Sequence, residues 1–124
     1  MSGPGEFAEQ LRLLGYTPTA SAADQVWFPW EITLGRFAGR TVRLGFVVFA
    51  DFALTPPTGP HVFPRILPIN TNGGVHPLAS VHPSPFGEDW EYWSRPFPSP
   101  PGWASTDRSV KTYLKHIENL FRTL

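Results

Sequence analysis

The spacing of apolar residues along the chain predicts a helix near each end. In the segment EFAEQLRLLG the apolar positions recur every three or four residues, at Phe7, Leu11 and Leu14. Gly15 follows as a typical C-terminal stop. The segment STDRSVKTYLKHIENLFRTL repeats this spacing with a broad apolar face at Val110, Tyr113, Leu114, Ile117, Leu120, Phe121 and Leu124. The expected cap of this second helix is Thr106 or Asp107.

Two runs between these segments are rich in β-branched and aromatic residues, which favour strands. They are QVWFPWEIT (25–33) and TVRLGFVVFADF (41–52), and the intervening LGRFAGR has the glycines of a hairpin turn. The pattern therefore predicts an antiparallel pair. Since proline has no N–H to donate to a sheet, Pro29 predicts that the first strand lies at an edge or is bulged there.

Proline dominates the next part of the chain, because twelve of the fifteen prolines lie between Pro56 and Pro101. Aromatic and aliphatic residues are interspersed among them, and a disordered linker lacks such content. We therefore predict a long irregular segment pinned to the domain by its aromatic residues, with a third strand near HVFPRILPI. Within it, HPSPFGEDWEYWSRPF (82–97) is predicted to contain neither a helix nor a long strand.

Composition narrows the class of protein. The length of 124 residues fits a single domain spanning residues 1–124. Ten basic and ten acidic residues cancel, so we expect neither a nucleic-acid nor a membrane partner. The absence of cysteine excludes disulfides, thiolate metal sites and thioester intermediates on this chain. The first residues do not show the basic region followed by an apolar run that is typical of a signal peptide, so we expect a cytoplasmic protein.

Four landmarks follow one another between Pro56 and Phe121. They are the proline-rich PPTGPHVFP, the triplet VHP, which occurs twice, Trp103, and the amphipathic segment SVKTYLKHIENLF. In this order they resemble the ubiquitin-conjugating fold, with its proline-rich strand and turn, His-Pro loop, tryptophan beyond the catalytic residue and crossover helix. The stretches GVHPLASVHPSPF and WEYWSRPF are similar, in particular, to bacterial relatives of ubiquitin-conjugating enzymes.

The resemblance implies a compact α+β fold with an N-terminal helix, an antiparallel meander sheet, a long active-site loop rich in proline and aromatic residues, and a C-terminal crossover helix. It also implies a ubiquitin-like protein and a ubiquitin-activating-type adenylating enzyme as partners, because the bacterial relatives lie in operons with these proteins and a metallopeptidase. Such systems imply a role in antiphage defence. No cofactor is expected.

The family's nucleophilic cysteine lies between the His-Pro loop and the tryptophan. Here Ser94 lies twelve residues after His82 and nine before Trp103. The resemblance therefore implies that Ser94 accepts the C-terminus of the ubiquitin-like protein as an oxyester and passes it to an amine. Where the family has an asparagine after His-Pro, this chain has Leu78 or Ser84.

A serine needs a positioned base to act as a nucleophile. His82, His76 and His61 belong to the segment around Ser94, and the sequence does not select among them. Asp89 or Glu88 is a candidate to orient an imidazole. The candidates for oxyanion or loop support are Asn70, Asn72 and Trp103, beside backbone N–H groups.

Several alternatives stay open at this point. Ser94 is also explained as a turn residue, in which case the protein is a non-catalytic adapter for the ubiquitin-like protein or its adenylating enzyme. A small hydrolase or a metal enzyme is a third class, but the spacing in HPLASVHP matches no standard zinc signature, so no metal site is predicted. Trp90, Trp93 and Arg95 either pack the loop or bind a partner.

Overall fold

The chain folds as a helix, a six-stranded antiparallel sheet and a second helix, which makes it an α+β protein. The computed structural model describes residues 3–35, 37–66, 81–94, 97–98 and 102–122. The elements within these ranges are α1 (Gly3–Leu13), β1 (Thr19–Ala22), β2 (Gln25–Glu31), β3 (Thr41–Val47), β4 (His61–Phe63), β5 (Val81–Ser84), β6 (Gly87–Trp93), a 3₁₀ turn (Trp103–Ser105) and α2 (Val110–Arg122). Neither of these two helices is long and apolar enough to cross a bilayer.

The sheet is a meander that is extended by a hairpin. The strand order is β1-β2-β3-β4-β6-β5, and every neighbouring pair is antiparallel. The first four strands follow the chain from one edge inward. The β5–β6 hairpin then joins through β6, which pairs with β4 and leaves β5 as the far edge.

The predicted first helix and its stop are confirmed. Phe7 and Leu11 are fully buried, and Gly15 has a φ of 95°, which favours glycine. The Gly15 N–H donates to the Arg12 carbonyl at 3.0 Å, and the Tyr16 N–H donates to the Leu11 carbonyl at 3.0 Å. These two bonds form a Schellman motif, which ends the helix.

The second helix is also confirmed, but its predicted cap is wrong. Ser109, rather than Thr106 or Asp107, precedes the helix, and its Oγ accepts the Thr112 N–H at 3.2 Å. Asp107 supports the cap from outside, since its carboxylate accepts the Ser109 hydroxyl at 2.8 Å. The Gln10 side chain of α1 accepts the Val110 N–H at 2.8 Å, which ties the two helices together.

The predicted β2–β3 hairpin is confirmed, with Gln25 opposite Val47 and Glu31 opposite Thr41. The edge position predicted from Pro29 is wrong for β2 as a whole, since the strand lies between β1 and β3. However, β1 pairs only with residues as far as Trp27. Pro29 therefore lies where β2 has no neighbour on that side, so its missing N–H costs no ladder bond.

The expectation of an irregular proline-rich segment is wrong for part of its length. Gly87–Trp93 forms a regular strand of seven residues, and Val81–Ser84 pairs with it. Pro83 is tolerated because β5 is an edge strand, and Pro85 lies in the hairpin turn. The third strand expected near HVFPRILPI is confirmed as β4, which has only three residues.

Both helices pack on one face of the sheet, which we call the helix-covered face. Phe46 of β3 contacts Phe7 of α1 and Tyr113 of α2, with ring centroids 5.3 and 5.5 Å apart. Trp93 of β6 contacts Phe121 of α2 at 4.9 Å. Burial of this aromatic and aliphatic set is the main source of stability. The opposite face of the sheet carries the groups described next.

Candidate functional site

The face of the sheet opposite the described helices carries a second set of aromatic rings, which we call the outer cluster. Its rings are stacked, tilted or T-shaped relative to one another, with centroids 4.6–6.4 Å apart. The members come from β2, β4, the β5–β6 turn and β6, and they are Trp27, His61, Phe63, Phe86, Trp90 and Tyr92. His61 and Trp90 are buried, and the other four rings are partly exposed.

Glycine at position 45 of β3 allows the β5–β6 turn to fold back over this face. A Cβ atom at Gly45 would lie 2.8 Å from two ring carbons of Phe86, closer than any real contact. The Phe86 ring also stacks on Trp90 at 4.8 Å. The absence of a side chain at Gly45 therefore makes room for Phe86, and Phe86 brings the end of β5 over the sheet.

Strand register places two imidazoles on either side of one tyrosine. Tyr92 of β6 is opposite His61 of β4 and opposite His82 of β5. Its ring stacks on His61 at 4.6 Å and lies 6.0 Å from His82. The Tyr92 hydroxyl is 2.7 Å from the Thr58 hydroxyl, which fixes the ring between them.

His61 and Ser84 form the closest pair of chemically active side chains on this face. The Ser84 Oγ lies 2.7 Å from Nδ1 of His61. The same Oγ accepts the Phe86 N–H at 3.1 Å, as in a turn closed by a serine. A hydroxyl oxygen has two acceptor lone pairs, so the direction of this bond depends on the His61 tautomer: with the ring proton on Nε2, Ser84 donates its proton to Nδ1.

Burial sets the charge state of His61. The residue is 3% exposed, and desolvation of the charged form lowers its pKa from 6.5 to about 4. The imidazole is therefore neutral at neutral pH. A neutral ring is free to accept the Ser84 proton, which agrees with the short Oγ to Nδ1 distance.

A surface cavity of about 400 Å³ opens beside Ser84. It is lined by one cation, one carboxylate, an indole and the hairpin turn, namely Arg65, Pro83, Ser84, Gly87, Glu88 and Trp90. The cavity therefore combines an apolar wall with groups of both charges around a serine hydroxyl. That combination is typical of small-molecule sites.

Ser94 lies directly after β6 and is partly buried. His82 faces Tyr92, two residues earlier, so His82 and Ser94 are diagonal neighbours, a relation that places Cα atoms roughly 7–8 Å apart. Within the described ranges, the Ser94 hydroxyl makes no hydrogen bond to an imidazole; the Nδ1 of His61 is directed at Ser84 instead. The roles predicted for Ser94 and His82 stay predictions.

The remaining predicted residues lie in different places. Asp89 is exposed and five residues before Ser94 on β6, which is about 16 Å along an extended strand, so the structure does not bring them together. Trp93 has no exposed surface and packs in the core, so it offers nothing to a partner. Trp90 is 8% exposed and forms one wall of the cavity.

Trp103 supports the core rather than a reactive group. Its Nε1 donates to the Ala53 carbonyl at 2.8 Å, and its ring contacts Phe52, Phe97 and Tyr113. Four predicted residues lie outside the described residues, and they are Asn70, Asn72, His76 and Arg95. In the part of the chain that is described, no group of three or more His, Asp or Glu side chains is arranged to hold a metal ion.

The pairing of His61 with Ser84 was missed by the sequence analysis, although both residues were named there. His61 was one of three candidate bases for Ser94, and Ser84 was noted only as a replacement for an asparagine. The available signal was SPFG, directly before the aromatic-rich EDWEYW, because its serine, proline and glycine stand where a type I turn favours them and such a turn fits a hairpin between two strands. The turn does not show which other strand of the sheet this hairpin pairs with.

Comparisons of this chain with protein-family models, with curated proteins and with solved structures found no match. The resemblance to ubiquitin-conjugating proteins therefore stays a prediction. The functional assignment rests on the residues and the element order of this chain.

Proposed function

We propose that this chain is a ubiquitin-conjugating-like protein that receives the C-terminus of a ubiquitin-like protein from an adenylating enzyme, with Ser94 as the acceptor. The observation that carries the proposal is the order of the elements. An N-terminal helix, an antiparallel meander, a half-exposed serine after the last strand, a buried tryptophan and a closing helix follow one another along the chain.

The proposed reaction is an acyl transfer. Ser94 Oγ attacks the adenylated carboxyl carbon, AMP leaves with its bonding electrons, and the hydroxyl proton passes to a base. By register His82 and His61 are both diagonal to Ser94, and His82 is the proposed base because Nδ1 of His61 already contacts Ser84. An amine nitrogen then bonds to the carbonyl carbon of the oxyester and the bond from that carbon to Ser94 Oγ breaks. A proton from the amine restores the serine hydroxyl.

The test is intact-mass analysis after incubation with the adenylating enzyme, the ubiquitin-like protein and ATP. We expect an adduct with the mass of the ubiquitin-like protein that resists mild thiol and is cleaved by hydroxide. It should vanish in Ser94→Ala and persist in Ser21→Ala, which removes an exposed hydroxyl of β1. An adduct that survives in Ser94→Ala would refute Ser94 as the acceptor.

A second candidate function is a non-catalytic adapter that binds the ubiquitin-like protein or its adenylating enzyme. It is favoured by the missing hydrogen bond between Ser94 and an imidazole among the described residues. The same experiment separates the two, because an adapter forms a stable complex without an adduct in both the wild type and Ser94→Ala. If neither an adduct nor a complex is found, both proposals fail.

A further inference from the structure

A serine other than Ser94 has the immediate surroundings of a nucleophile. It is Ser84, which contacts His61 of the outer cluster. An activated serine needs a base within hydrogen-bond reach, a proton directed at that base and an opening to solvent. The Ser84 Oγ lies 2.7 Å from Nδ1 of His61 and also accepts the Phe86 N–H at 3.1 Å. The first requirement is therefore met, and the second is met in the His61 tautomer that carries its proton on Nε2.

The base is held rigidly. The His61 ring lies between Phe86 and Tyr92, with centroids 4.8 and 4.6 Å away. Tyr92 is itself fixed through its hydroxyl, 2.7 Å from that of Thr58. These contacts prevent rotation of the imidazole away from Ser84, which is the positioning that a third member provides in a catalytic triad.

The third requirement is met by the cavity of about 400 Å³. Ser84 lies on its wall and is partly buried, and its oxygen is bonded to His61. Trp90 and Gly87 supply apolar surface for a short acyl chain. Arg65, on the same wall, carries the N–H donors that a developing oxyanion needs.

We propose that Ser84 is a nucleophilic serine that takes an acyl group from small carboxylic esters, with His61 as its base. Ser84 Oγ bonds to the ester carbonyl carbon while its proton moves to Nδ1 of His61. The bond from that carbon to the alcohol oxygen then breaks, and the alcohol leaves with the proton from His61. Water hydrolyses the acyl-serine by the same route and restores the hydroxyl.

The site is independent of the proposed conjugation activity, since it uses neither Ser94 nor any protein partner. Burial keeps His61 neutral, and so able to accept a proton, throughout the neutral range. The imidazolium formed during the reaction is a strong acid because it is poorly hydrated, so it returns the proton readily to the leaving alcohol. A base of this kind is weak, and we expect acylation over hours rather than seconds.

The test uses the full chain and a fluorophosphonate probe, which bonds to a nucleophilic serine through phosphorus with loss of fluoride and the serine proton. We expect one adduct by intact mass, mapped by peptide sequencing to Ser84. Ser84→Ala should abolish it, and Ser21→Ala, which removes an exposed hydroxyl of β1, should label like the wild type. His61→Asn keeps an acceptor for the Ser84 hydroxyl but removes the base, so labelling should slow by about a hundredfold.

Two results would overturn the proposal. One is the absence of an adduct on the wild-type protein, and the other is labelling that maps only to serines other than Ser84. Mapping on the wild type decides the matter even if a variant fails to fold, and a thermal unfolding scan of each variant identifies that case. Hydrolysis of p-nitrophenyl butyrate should change in parallel with labelling across the four proteins.

Discussion

The two faces of the sheet differ in what their aromatic side chains contact. On the helix-covered face Phe28 and Phe46 have no exposed surface and pack against other apolar groups. On the outer face the rings contact polar groups, since the exposed Arg43 guanidinium lies 4.6 Å from the Trp27 ring centroid and 5.0 Å from that of Phe63. The helix-covered face stabilises the fold, whereas the outer face carries partly exposed polar groups beside its rings, such as Ser84 and His82.

Polar groups follow different rules on the two faces. Glu91 points into the helix-covered side with no exposed surface, and it accepts the Trp93 Nε1–H at 3.0 Å and the Ile66 N–H at 3.1 Å. A carboxylate at that depth must be fully bonded, because desolvation costs several kcal/mol otherwise. On the outer face Ser84 and His82 stay partly exposed, and water or a ligand is able to complete their bonding.

The largest expected effect comes from removing one tryptophan from each face. Trp93→Ala deletes a fully buried ring that contacts Phe121 and should destabilise the fold by about 3–5 kcal/mol. Trp27→Ala removes a partly buried ring of the outer cluster and should cost only about 1–2 kcal/mol. Urea unfolding of both variants measures the difference, and equal losses would contradict the division between the faces.

The second-largest expected effect is a loss of fold stability in acid, caused by His61 on the outer face. In the folded protein the pKa of His61 is lowered to about 4, against an ordinary value of 6.5 in the unfolded chain. Between these values the unfolded state binds more protons, so stability falls as pH drops from 6.5 toward 4 and is unaffected by this group above 6.5. The full loss is about 3 kcal/mol.

Urea unfolding at intervals between pH 7 and pH 4 measures this loss. The matched control is His61→Asn, which keeps an acceptor for Ser84 but does not titrate. The variant should show a pH dependence that is weaker by about 3 kcal/mol over the same range. If wild type and variant lose stability in parallel, His61 is not the group responsible.

The smallest expected effect tests how the β5–β6 turn is seated. Gly45→Ala places a methyl group where Phe86 and Trp90 now pack, with ring atoms at 2.8 and 3.1 Å, and should cost about 1–2 kcal/mol. Phe86→Leu in the same chain should recover part of that loss by making room. A thermal melt of the two single variants and the double variant measures the coupling, and additive losses would argue against the contact.

Periodicity in the sequence was enough to locate both helices and the β2–β3 hairpin, because their signals are local. It missed β1, whose residues TASA are small and exposed and carry no alternating pattern. It also missed β6, because the prolines around GEDWEYW were given more weight than its aromatic residues. An edge strand and a turn accommodate those prolines, but the sheet order that permits this depends on distant pairing.

The candidate site was harder to predict from local sequence patterns than the fold was. The histidines and serines of the proline-rich segment were recognised as reactive groups, and their mutual distances were not. Ser84 meets His61 because β6 pairs with β4 on one side and β5 on the other, and because Gly45 leaves space for the turn. The pairing of β5 with β6 is local, but the pairing of β4 with β6 and the contact of the turn with Gly45 are not, so spacing alone assigned the histidines to Ser94.

The pairing of β4 with β6 also has a kinetic consequence. His61 meets Tyr92 about 30 residues further along the chain, so closing this loop costs conformational entropy that the β2–β3 and β5–β6 hairpins do not incur. We therefore expect the two hairpins to form early in folding and the pairing of β4 with β6 to form late. Ser84 and His61 would then be separated in the partly folded chain, and they would come into contact only in the last stage of folding.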